Sequence, residues 1–249
     1  MRRAIVLLLG LTTLLAACGG GSDTRPTLSH SVTSAPCSRR LFSTPLNCVA
    51  DPVGSDLPVY ASPLSTTPKW TFPNPWLLND DPNLKVPQKL LVAERQGQWL
   101  RLVLPVRPNG TTGWVRARDI RLEQDPYRIT IQLGAHHLTV YNGSSIVNQD
   151  TVAIGAPATP TPTGTYYLRV LLKAPDPTTV YGPYAYGLSG HSDSLTTFEG
   201  GDAELGIHGN NDASVLGQSI SHGCIRMSND KITALASLLP LGTPVQILA

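Results

Sequence analysis

The sequence has few charged residues and almost no excess of either sign. Charged side chains make up 14% of the chain, and the formal net charge is +2 at pH 7. Of the 19 basic residues, Arg2 and Arg3 lie in a segment that we expect to be removed, which leaves 17 against 17 acidic residues. Proteins that bind nucleic acids need a basic patch to neutralise phosphates. A near-neutral chain without such a patch gives no reason to expect a nucleic-acid partner.

The N-terminus lacks an apolar run long enough to span a membrane. The uncharged stretch 4–17 has only 14 residues, whereas a transmembrane helix needs about 20. A short cationic start and small residues before Cys18 instead predict a signal peptide over residues 1–17. The ending LAAC resembles the lipobox of bacterial lipoproteins, which implies a lipid on Cys18 that anchors the chain to the outer face of the membrane. The alternative is a plain signal peptide cut after an Ala-x-Ala-like site.

Residues 18–47 lack apolar periodicity and are rich in residues that break secondary structure, which predicts a flexible tether.

Only four cysteines are present. Cys37 and Cys48 are spaced so that a disulfide between them would close a small loop, and an exported compartment favours such pairs; two unpaired thiols are the alternative. Cys224 is then left over, far along the chain, and a leftover cysteine in an exported protein calls for a functional explanation.

Helix-forming patterns are scarce, and short strands separated by turns dominate from residue 48 to 122. In GQWLRLVLP the side chains of Leu100, Leu102 and Leu104 alternate with those of the other face, as in a half-buried strand. The Asn109-Gly110 pair predicts a tight turn. Residues 48–122 therefore predict a small antiparallel barrel that resembles bacterial SH3-type modules. Such a module either contacts peptidoglycan or acts as a spacer; the aromatic residues that are candidates for contact or core are Tyr60, Trp70 and Trp76.

Residues 127–249 predict a second β-rich domain with one helix. Three strands with turns at Gly134 and Asn142-Gly143 come first, and TPVQIL forms the last strand. The segment SNDKITALASLLP predicts an amphipathic helix with Ser228 or Asn229 as its N-cap. The residues expected to face inward are Ile232, Leu235, Leu238 and Leu239. The pair His136-His137 does not indicate a metal site, because consecutive strand residues point to opposite faces.

Cys224 needs a base to act as a nucleophile, because a free thiol with a pKa of about 8.5 is mostly protonated at neutral pH. His222 is two residues away and would point away from the thiol in an extended segment. His208, at the end of the apolar run ELGIH, is the better candidate, since a loop can return Cys224 to it. The amides of Gly223 and Cys224 are expected to face a developing oxyanion. Arg226 is expected on the same side as Cys224, where its guanidinium can pair with a substrate carboxylate.

Three segments, TPTGTY (161–166), IHG (207–209) and SHGCIRM (221–227), resemble in order and spacing the signature of the L,D-transpeptidase (YkuD-type) catalytic domain. This resemblance covers residues 127–249 and implies that Cys224 is the nucleophile and His208 the general base. It also implies a substrate and oxyanion site formed by His222, Gly223 and Arg226, with Ser221 supporting the loop. Some members of the family have Ser where this chain has Gly209, so a backbone carbonyl would have to orient His208. Residues 173–201, which include Tyr181, Tyr184, Tyr186 and His191, are expected to form a lid over the donor site, with Tyr184 among its substrate contacts; an ordinary long loop is the alternative.

The resemblance implies a reaction without metal or organic cofactor. Cys224 attacks the carbonyl of the L-to-D peptide bond before the terminal D-Ala of a peptidoglycan tetrapeptide stem, and D-Ala leaves. A side-chain amine of a neighbouring stem then attacks the thioester, which gives a 3→3 cross-link. With water or a free D-amino acid as acceptor, the same acyl-enzyme gives L,D-carboxypeptidase activity or exchange. We expect a monomeric, lipid-anchored protein that acts outside the bacterial cell membrane.

Other thiol chemistries fit the pattern less well. Papain-like and NlpC/P60-like peptidases place cysteine before histidine, whereas no histidine follows Cys224 here. Sortases have longer spacings, and a zinc site formed by His208, His222 and Cys224 lacks the usual close ligand pairs. A non-catalytic lipoprotein that binds the cell wall is the alternative from another functional class. Loss of catalysis should have removed the nucleophile or the base, whereas both Cys224 and His208 are present.

Overall fold

A computed structural model describes residues 46–198 and 200–249 of the chain. The predicted signal peptide, most of the tether, the lipidation site Cys18 and the disulfide partner Cys37 lie outside the described residues. In the described part, Cys48 is engaged in a disulfide and Cys224 is not. The pairing of Cys48 with Cys37 stays a prediction. No helix in the described part combines the length and the apolar character that a membrane crossing requires.

The described chain is mainly β-structure, as predicted, with one α-helix and three short 3-10 helices at Leu78–Asp80, Ala117–Asp119 and Ala213–Val215. The α-helix α1 spans Asn229–Leu238. The strands are β1 (Asn47–Pro52), β2 (Asp56–Val59), β3 (Trp70–Pro73), β4 (Trp76–Leu77), β5 (Lys85–Val86), β6 (Leu90–Gln96), β7 (Trp99–Val103), β8 (Thr112–Arg116), β9 (Ile120–Asp125), β10 (Tyr127–Gln132), β11 (His137–Asn142), β12 (Ser145–Thr151), β13 (Ile154–Gly155), β14 (Gly164–Lys173), β15 (Tyr184–His191), β16 (Glu204–His208), β17 (Ser219–Ser221), β18 (Ile225–Arg226) and β19 (Pro244–Leu248).

The N-terminal part is a five-stranded antiparallel sheet in the order β8-β7-β6-β1-β9. The predicted alternation holds over most of β7, because Leu100 and Leu102 are fully buried whereas Trp99 and Arg101 on the other face are half-buried; Val103 on that face is buried as well. Tyr60 and Trp76 are only 8% and 7% exposed, so neither side chain offers a surface for a wall ligand. Trp76 lies instead beneath the guanidinium of Arg169, 3.8 Å from the ring centre. Trp70 is half-buried and packs against the core of the N-terminal part.

The C-terminal part is an eight-stranded sheet in the order β12-β11-β10-β19-β14-β15-β16-β18. The last strand of the chain, β19, lies in the middle of the sheet, parallel to β10 and antiparallel to β14. The buried core of this part includes Ile129, Tyr166 and Leu235 from three different elements. At the edge opposite β12, strands β16 and β18 run parallel. This edge carries His208 and Arg226, and Cys224 immediately precedes β18.

The helix α1 follows the predicted pattern with one exception. Ile232 and Leu235 are fully buried and Leu239 is 5% exposed, but Leu238 is 36% exposed, so its predicted inward position is wrong. Leu239 is already outside the last helical turn, and its extended backbone turns its side chain inward while Leu238 faces outward. Ser228 is the N-cap residue, although its hydroxyl donates to Asp150 Oδ2 (2.8 Å) instead of capping the helix.

A buried polar junction joins the two sheets. Thr243 donates a hydrogen bond of 2.6 Å to Asp125 Oδ2, and the amide of Tyr127 donates to Asp125 Oδ1 at 2.8 Å. Asn47 donates to the carbonyl oxygens of Asp125 and Tyr127. Burial raises the pKa of Asp125, while these hydrogen bonds oppose that rise. The chain between β9 and β10 is thus tied down on both sides.

Candidate active site

The backbone brings Cys224 beside the strand that ends in His208. In the parallel pair β16 and β18, Ile207 faces Ile225 and His208 faces Arg226. A Cβ atom built on Gly206 would lie 3.7 Å from Cys224 Sγ, so the thiol packs over Gly206. Residues 206 and 208 share one face of the strand, since side chains alternate with a period of two. The thiol and the imidazole therefore stand on the same face, and both line one cavity.

This cavity has a volume of about 190 Å³ and is lined by β16, by residues of the segment 221–226 and by two loops. One loop, 174–183, contributes Val180 and Tyr181; the other, 192–203, contributes Ser192, Leu195, Phe198 and Ala203. The expected lid over residues 173–201 is therefore two loops separated by strand β15. Tyr184 lies at the start of β15 and packs against the hydrophobic core. It is not among the cavity-lining residues of the described chain, whereas Tyr181 is, with its ring centre 5.0 Å from that of His208.

His208 is buried, with 3% of its surface exposed. Its Nδ1 lies 2.7 Å from the carbonyl oxygen of Gly209, which is the backbone contact expected for a histidine followed by glycine. The pKa of His208 is lowered to about 4, mainly by burial and to a smaller extent by the charge of Arg226, while the carbonyl oxygens of Gly209 and Val180 oppose this lowering. The imidazole is therefore neutral at pH 7 and able to accept a proton.

Gly209 has no side chain because none would fit. A Cβ atom there would lie 2.3 Å from Asn229 Oδ1 and 3.1 Å from the Cα atom of Gly182. Asn229 Oδ1 is itself fixed, because it accepts a hydrogen bond of 2.9 Å from the amide of Asn210. The first residue of α1 thus closes the space in which a serine side chain would have to stand.

Hydroxyl groups hold the loop that precedes Cys224. Ser221 Oγ donates to the carbonyl oxygen of Cys224 at 2.6 Å and accepts from the amide of Gly223 at 3.1 Å. Ser221 therefore supports the loop, as the resemblance implies. The amide of Gly223 is occupied by this bond, so the expectation that it faces an oxyanion is wrong. Gly223 has φ +116, a backbone conformation that side chains rarely adopt.

Two threonines of the TPTPTG segment complete this support, and the sequence reasoning missed their role. Thr161 Oγ1 donates to the carbonyl oxygen of Gly223 at 2.8 Å and accepts from the amide of Gly155 at 2.9 Å. Thr159 Oγ1 donates to the carbonyl oxygen of Ser221 at 3.0 Å. The only sequence signal for this role is the segment itself. Its hydroxyls in fact fix the backbone on both sides of Gly223.

His222 and Arg226 both line the cavity. His222 is exposed and stacks on Phe198, with ring centres 5.3 Å apart. Arg226 is half-buried, and within the described residues its Nε is a buried donor that lacks an acceptor. A donor of this kind is stabilised when an anionic group enters the cavity. Both residues are thus placed where a substrate can reach them.

The histidine pair outside the cavity shows no site. His136 contacts Ser219 Oγ at 3.0 Å, and His137 contacts Gln149 at 3.2 Å. Nowhere in residues 46–198 and 200–249 do three or more His, Cys, Asp or Glu side chains gather as metal ligands would. The histidine, cysteine and arginine side chains described above, His208, His222, Cys224 and Arg226, instead line one cavity.

Comparison with known proteins finds a family match over the same half of the chain. Residues 126–247 match the family model described as the L,D-transpeptidase catalytic domain, YkuD. The putative L,D-transpeptidase YkuD of Bacillus licheniformis is 34% identical over 122 residues, which cover 49% of this chain and 66% of that protein. The protein of the same name from Bacillus subtilis (strain 168) matches with the same identity and coverage. The match thus spans just under two thirds of the length of these curated relatives. A solved L,D-transpeptidase from Mycobacterium smegmatis is 14% identical with a TM-score of 0.41, covering 66% of this chain and 92% of that one.

Proposed function

We propose that this protein is a peptidoglycan L,D-transpeptidase that forms 3→3 cross-links through a thioester on Cys224. Residues 126–247 match the model of the L,D-transpeptidase (YkuD) catalytic domain, which supports this proposal. One observation supports this most: the thiol of Cys224 and the neutral imidazole of His208 line one cavity from neighbouring strands. The cavity opens between two loops, where a stem peptide can enter. The same arrangement supports an acyl-enzyme mechanism for any acceptor.

The first step is acylation. His208 takes the thiol proton while Sγ attacks the carbonyl carbon that precedes the terminal D-Ala, and the C–S bond forms. The pKa of about 4 keeps the imidazole neutral before attack, so the ring can accept the proton of the thiol. The carbonyl oxygens of Gly209 and Val180 then stabilise the imidazolium. When the tetrahedral intermediate collapses, the imidazolium donates this proton to the nitrogen of D-Ala, and the C–N bond breaks.

The anionic part of the substrate is assigned to Arg226. Its side chain lines the cavity and offers a buried donor that lacks an acceptor within the described residues. A guanidinium binds a carboxylate through two parallel hydrogen bonds, so we assign it to the carboxylate of D-Ala in the donor stem. The amide of Cys224 remains the expected donor to the oxyanion.

The second step is transfer. A neutral amine of a second stem attacks the thioester carbon and forms the C–N bond, while His208 accepts a proton from the attacking nitrogen. The C–S bond then breaks, and the imidazolium returns this proton to the sulfur of Cys224. Water in place of the amine gives hydrolysis, which is the L,D-carboxypeptidase alternative. The chemistry around Cys224 is the same in both cases, so the products distinguish them.

Export and anchoring belong to the same proposal. A signal peptide over residues 1–17, a lipid on Cys18 and a tether over 18–47 would place the catalytic domain outside the cell membrane, where peptidoglycan lies. Residues 48–122 would form an SH3-like module; the antiparallel sheet β8-β7-β6-β1-β9 with its own core supports this.

The test uses the full chain and purified disaccharide-tetrapeptides, with products analysed by mass spectrometry. The expected intermediate is a tripeptide adduct on Cys224, and the expected product is a cross-linked dimer with loss of D-Ala. Cys224→Ala should form neither, and His208→Gln should slow acylation by about 10²- to 10⁴-fold. His137→Gln is the matched control, because His137 lies outside the cavity. A wild-type protein that forms no adduct would contradict the proposal, and tripeptide without dimer would favour the carboxypeptidase.

A further inference from the structure

The second loop of the cavity, residues 192–203, connects β15 to β16, and we call it the wall loop. Its ends are tied together by a hydrogen bond of 2.9 Å from the amide of Ser192 to the carbonyl oxygen of Ala203. Ser192 Oγ also accepts from the amides of Ser194 and Leu195. Between these ends the wall loop contributes Leu195 and Phe198 to the cavity that holds Cys224. Its position therefore determines the shape of the cavity on this side.

The wall loop is also held from outside the catalytic domain, by Arg107. This residue lies in the connection 104–111 between β7 and β8 of the N-terminal sheet. Its guanidinium donates to three carbonyl oxygens of the wall loop: Nη1 to Ser192 (2.6 Å), and Nη2 to Leu195 and Asp202 (3.0 Å each). Nε also lies 3.7 Å from Asp202 Oδ1. One side chain thus joins the start, the middle and the end of the wall loop.

Asn109, two residues further on, grips the strand end that leads into the wall loop. Its side-chain amide donates to the carbonyl oxygen of His191 at 2.7 Å and to Asp193 Oδ1 at 3.0 Å. Its side-chain oxygen accepts from the amide of His191 at 2.9 Å. Asn109 therefore pairs with His191 as a neighbouring strand would. The connection 104–111 is itself braced, because Thr111 Oγ1 donates to the carbonyl oxygen of Pro108 at 2.6 Å.

We propose that Arg107 and Asn109 are positioning residues for the transfer reaction: the N-terminal module holds the wall loop in the shape that binds the stem peptide. This inference rests on the proposed function, and it gives the module a role in the active site. A surface ion pair alone would contribute little. Arg107 and Asn109 instead form six hydrogen bonds with the wall loop and the end of β15. These bonds should contribute more than a surface ion pair, because the rigid guanidinium group fixes several carbonyl groups at once.

The link from the wall loop to the chemistry runs through Phe198 and His222. Phe198 lies in the middle of the wall loop and stacks on His222, which is two residues before Cys224. A loop released from Arg107 would move Phe198 and Leu195 away from a bound stem. The thiol and the imidazole would stay in place, because His208 ends β16 and Cys224 immediately precedes β18. Loss of the hydrogen bonds from Arg107 and Asn109 should therefore slow the reaction of Cys224 with a stem peptide more than its reaction with a small electrophile.

The experiment compares full-length wild type with Arg107→Ala, Asn109→Ala and Arg107→Lys. Acylation by disaccharide-tetrapeptide is followed by mass spectrometry over a range of substrate concentrations, and alkylation of Cys224 by iodoacetamide is followed in parallel. Both alanine variants should lose about ten- to a hundredfold in kcat/KM for acylation, mostly through KM, because a loosened loop misplaces the substrate. Alkylation by iodoacetamide should proceed at the wild-type rate. Arg107→Lys should recover part of the loss, because an ammonium can reach one carbonyl oxygen but not three.

Arg121→Ala is the matched control. Arg121 lies in the same module, but it pairs with Asp51, far from the wall loop, so this variant should behave as wild type. Hydrogen exchange of the amides in residues 192–203 provides a readout that needs no substrate. Exchange there should become faster in Arg107→Ala and Asn109→Ala and stay unchanged in Arg121→Ala.

Wild-type acylation rates in both alanine variants would overturn the proposal. So would an equal loss of iodoacetamide reactivity, which would mean that the thiol itself is disturbed. Loss of folding in every Arg107 and Asn109 variant would also overturn it, since these residues would then be elements of stability alone. If wild type forms no acyl-enzyme, the proposed function fails instead, and the exchange measurement still decides whether Arg107 and Asn109 hold the wall loop.

Discussion

The imidazole Nδ1 of His208 lies 2.7 Å from the carbonyl oxygen of Gly209. The neighbouring residue in the chain therefore orients the ring through its backbone, and no acidic side chain is required for this contact. A carbonyl oxygen accepts a hydrogen bond only, so Nδ1 carries the proton of the neutral ring and Nε2 keeps the lone pair. This assignment of the tautomer is what allows His208 to act as a base towards a thiol.

The low pKa of His208 should make stability depend on pH. The folded pKa is about 4 and the ordinary value is 6.5, so between these pH values the unfolded chain binds a proton that the folded chain excludes. The free energy of unfolding should therefore fall as the pH drops from 6.5 to 4, by about 3 kcal/mol in total. Above pH 6.5 His208 is neutral in both the folded and the unfolded chain, so this residue no longer makes the free energy of unfolding depend on pH.

The measurement is urea unfolding of wild type and His208→Gln at several pH values between 4 and 7. Glutamine does not titrate, so the difference between the two curves isolates His208 from His191, whose pKa is also lowered by burial. Parallel curves for the two proteins would show that His208 titrates normally in the folded state.

Arg226 should control the protonation of His208. Its charge lowers the pKa of His208, second to burial among the effects that do so. In Arg226→Met the pKa should rise from about 4 but stay below 6.5, because the burial remains, whereas Arg226→Lys should keep it near the wild-type value. An NMR titration of the His208 ring measures this without substrate. An unchanged pKa in Arg226→Met would mean that the guanidinium is screened from the ring.

Local patterns in the sequence predicted the elements and the two central residues of the site. The alternation in β7, the strands β10 to β12 and the helix α1 follow from periodicity and turn residues, which act over a few positions. The position of His208 at a strand end was predicted from the apolar run before it. Its approach to Cys224 was predicted because a short connection returns the chain to the same sheet edge.

Contacts between distant segments could not be predicted in this way. Thr161 binds the carbonyl oxygen of Gly223, and Arg107 binds that of Ser192, across 62 and 85 positions of the chain. Neither contact leaves a periodic signal in the sequence, because the partner of each side chain is determined by the loop that the tertiary fold places beside it. The amide of Gly223 was misassigned for the same reason, since the hydroxyl of Ser221 takes it through a local turn. Tyr184 was chosen from a segment that proved to contain a strand.

The hydroxyl of Thr161 should stabilise both the fold and the loop before Cys224. Thr161→Val keeps the shape but leaves the amide of Gly155 and the carbonyl oxygen of Gly223 without this partner in a buried place. The free energy of unfolding should fall by about 1–3 kcal/mol, and acylation of Cys224 should slow. Thr163→Val is the control, since Thr163 is exposed. Denaturant unfolding and adduct formation measured on the same samples test both effects, and equal behaviour of the two variants would refute the assigned role.

Gly209 and Asn229 should be coupled in their effect on stability. A methyl group at position 209 would stand 2.3 Å from Asn229 Oδ1, so Gly209→Ala must displace a side chain that binds the amide of Asn210. We expect Gly209→Ala to cost about 1–3 kcal/mol and Asn229→Ala about 1 kcal/mol. The double variant should cost less than the sum, by about 1 kcal/mol, because alanine at 229 vacates the space that the new methyl group needs.

The coupling is measured by urea unfolding of the four proteins of this cycle. Gly134→Ala is the control for the intrinsic effect of replacing glycine, since a Cβ there has its nearest neighbour at 3.9 Å. Strictly additive costs would show that the backbone around residue 209 yields instead of Asn229. In that case the carbonyl oxygen of Gly209 would shift as well, and the contact that orients His208 would be disturbed in the single variant. Slower acylation in Gly209→Ala, restored in the double variant, would link the packing of α1 to the orientation of the base.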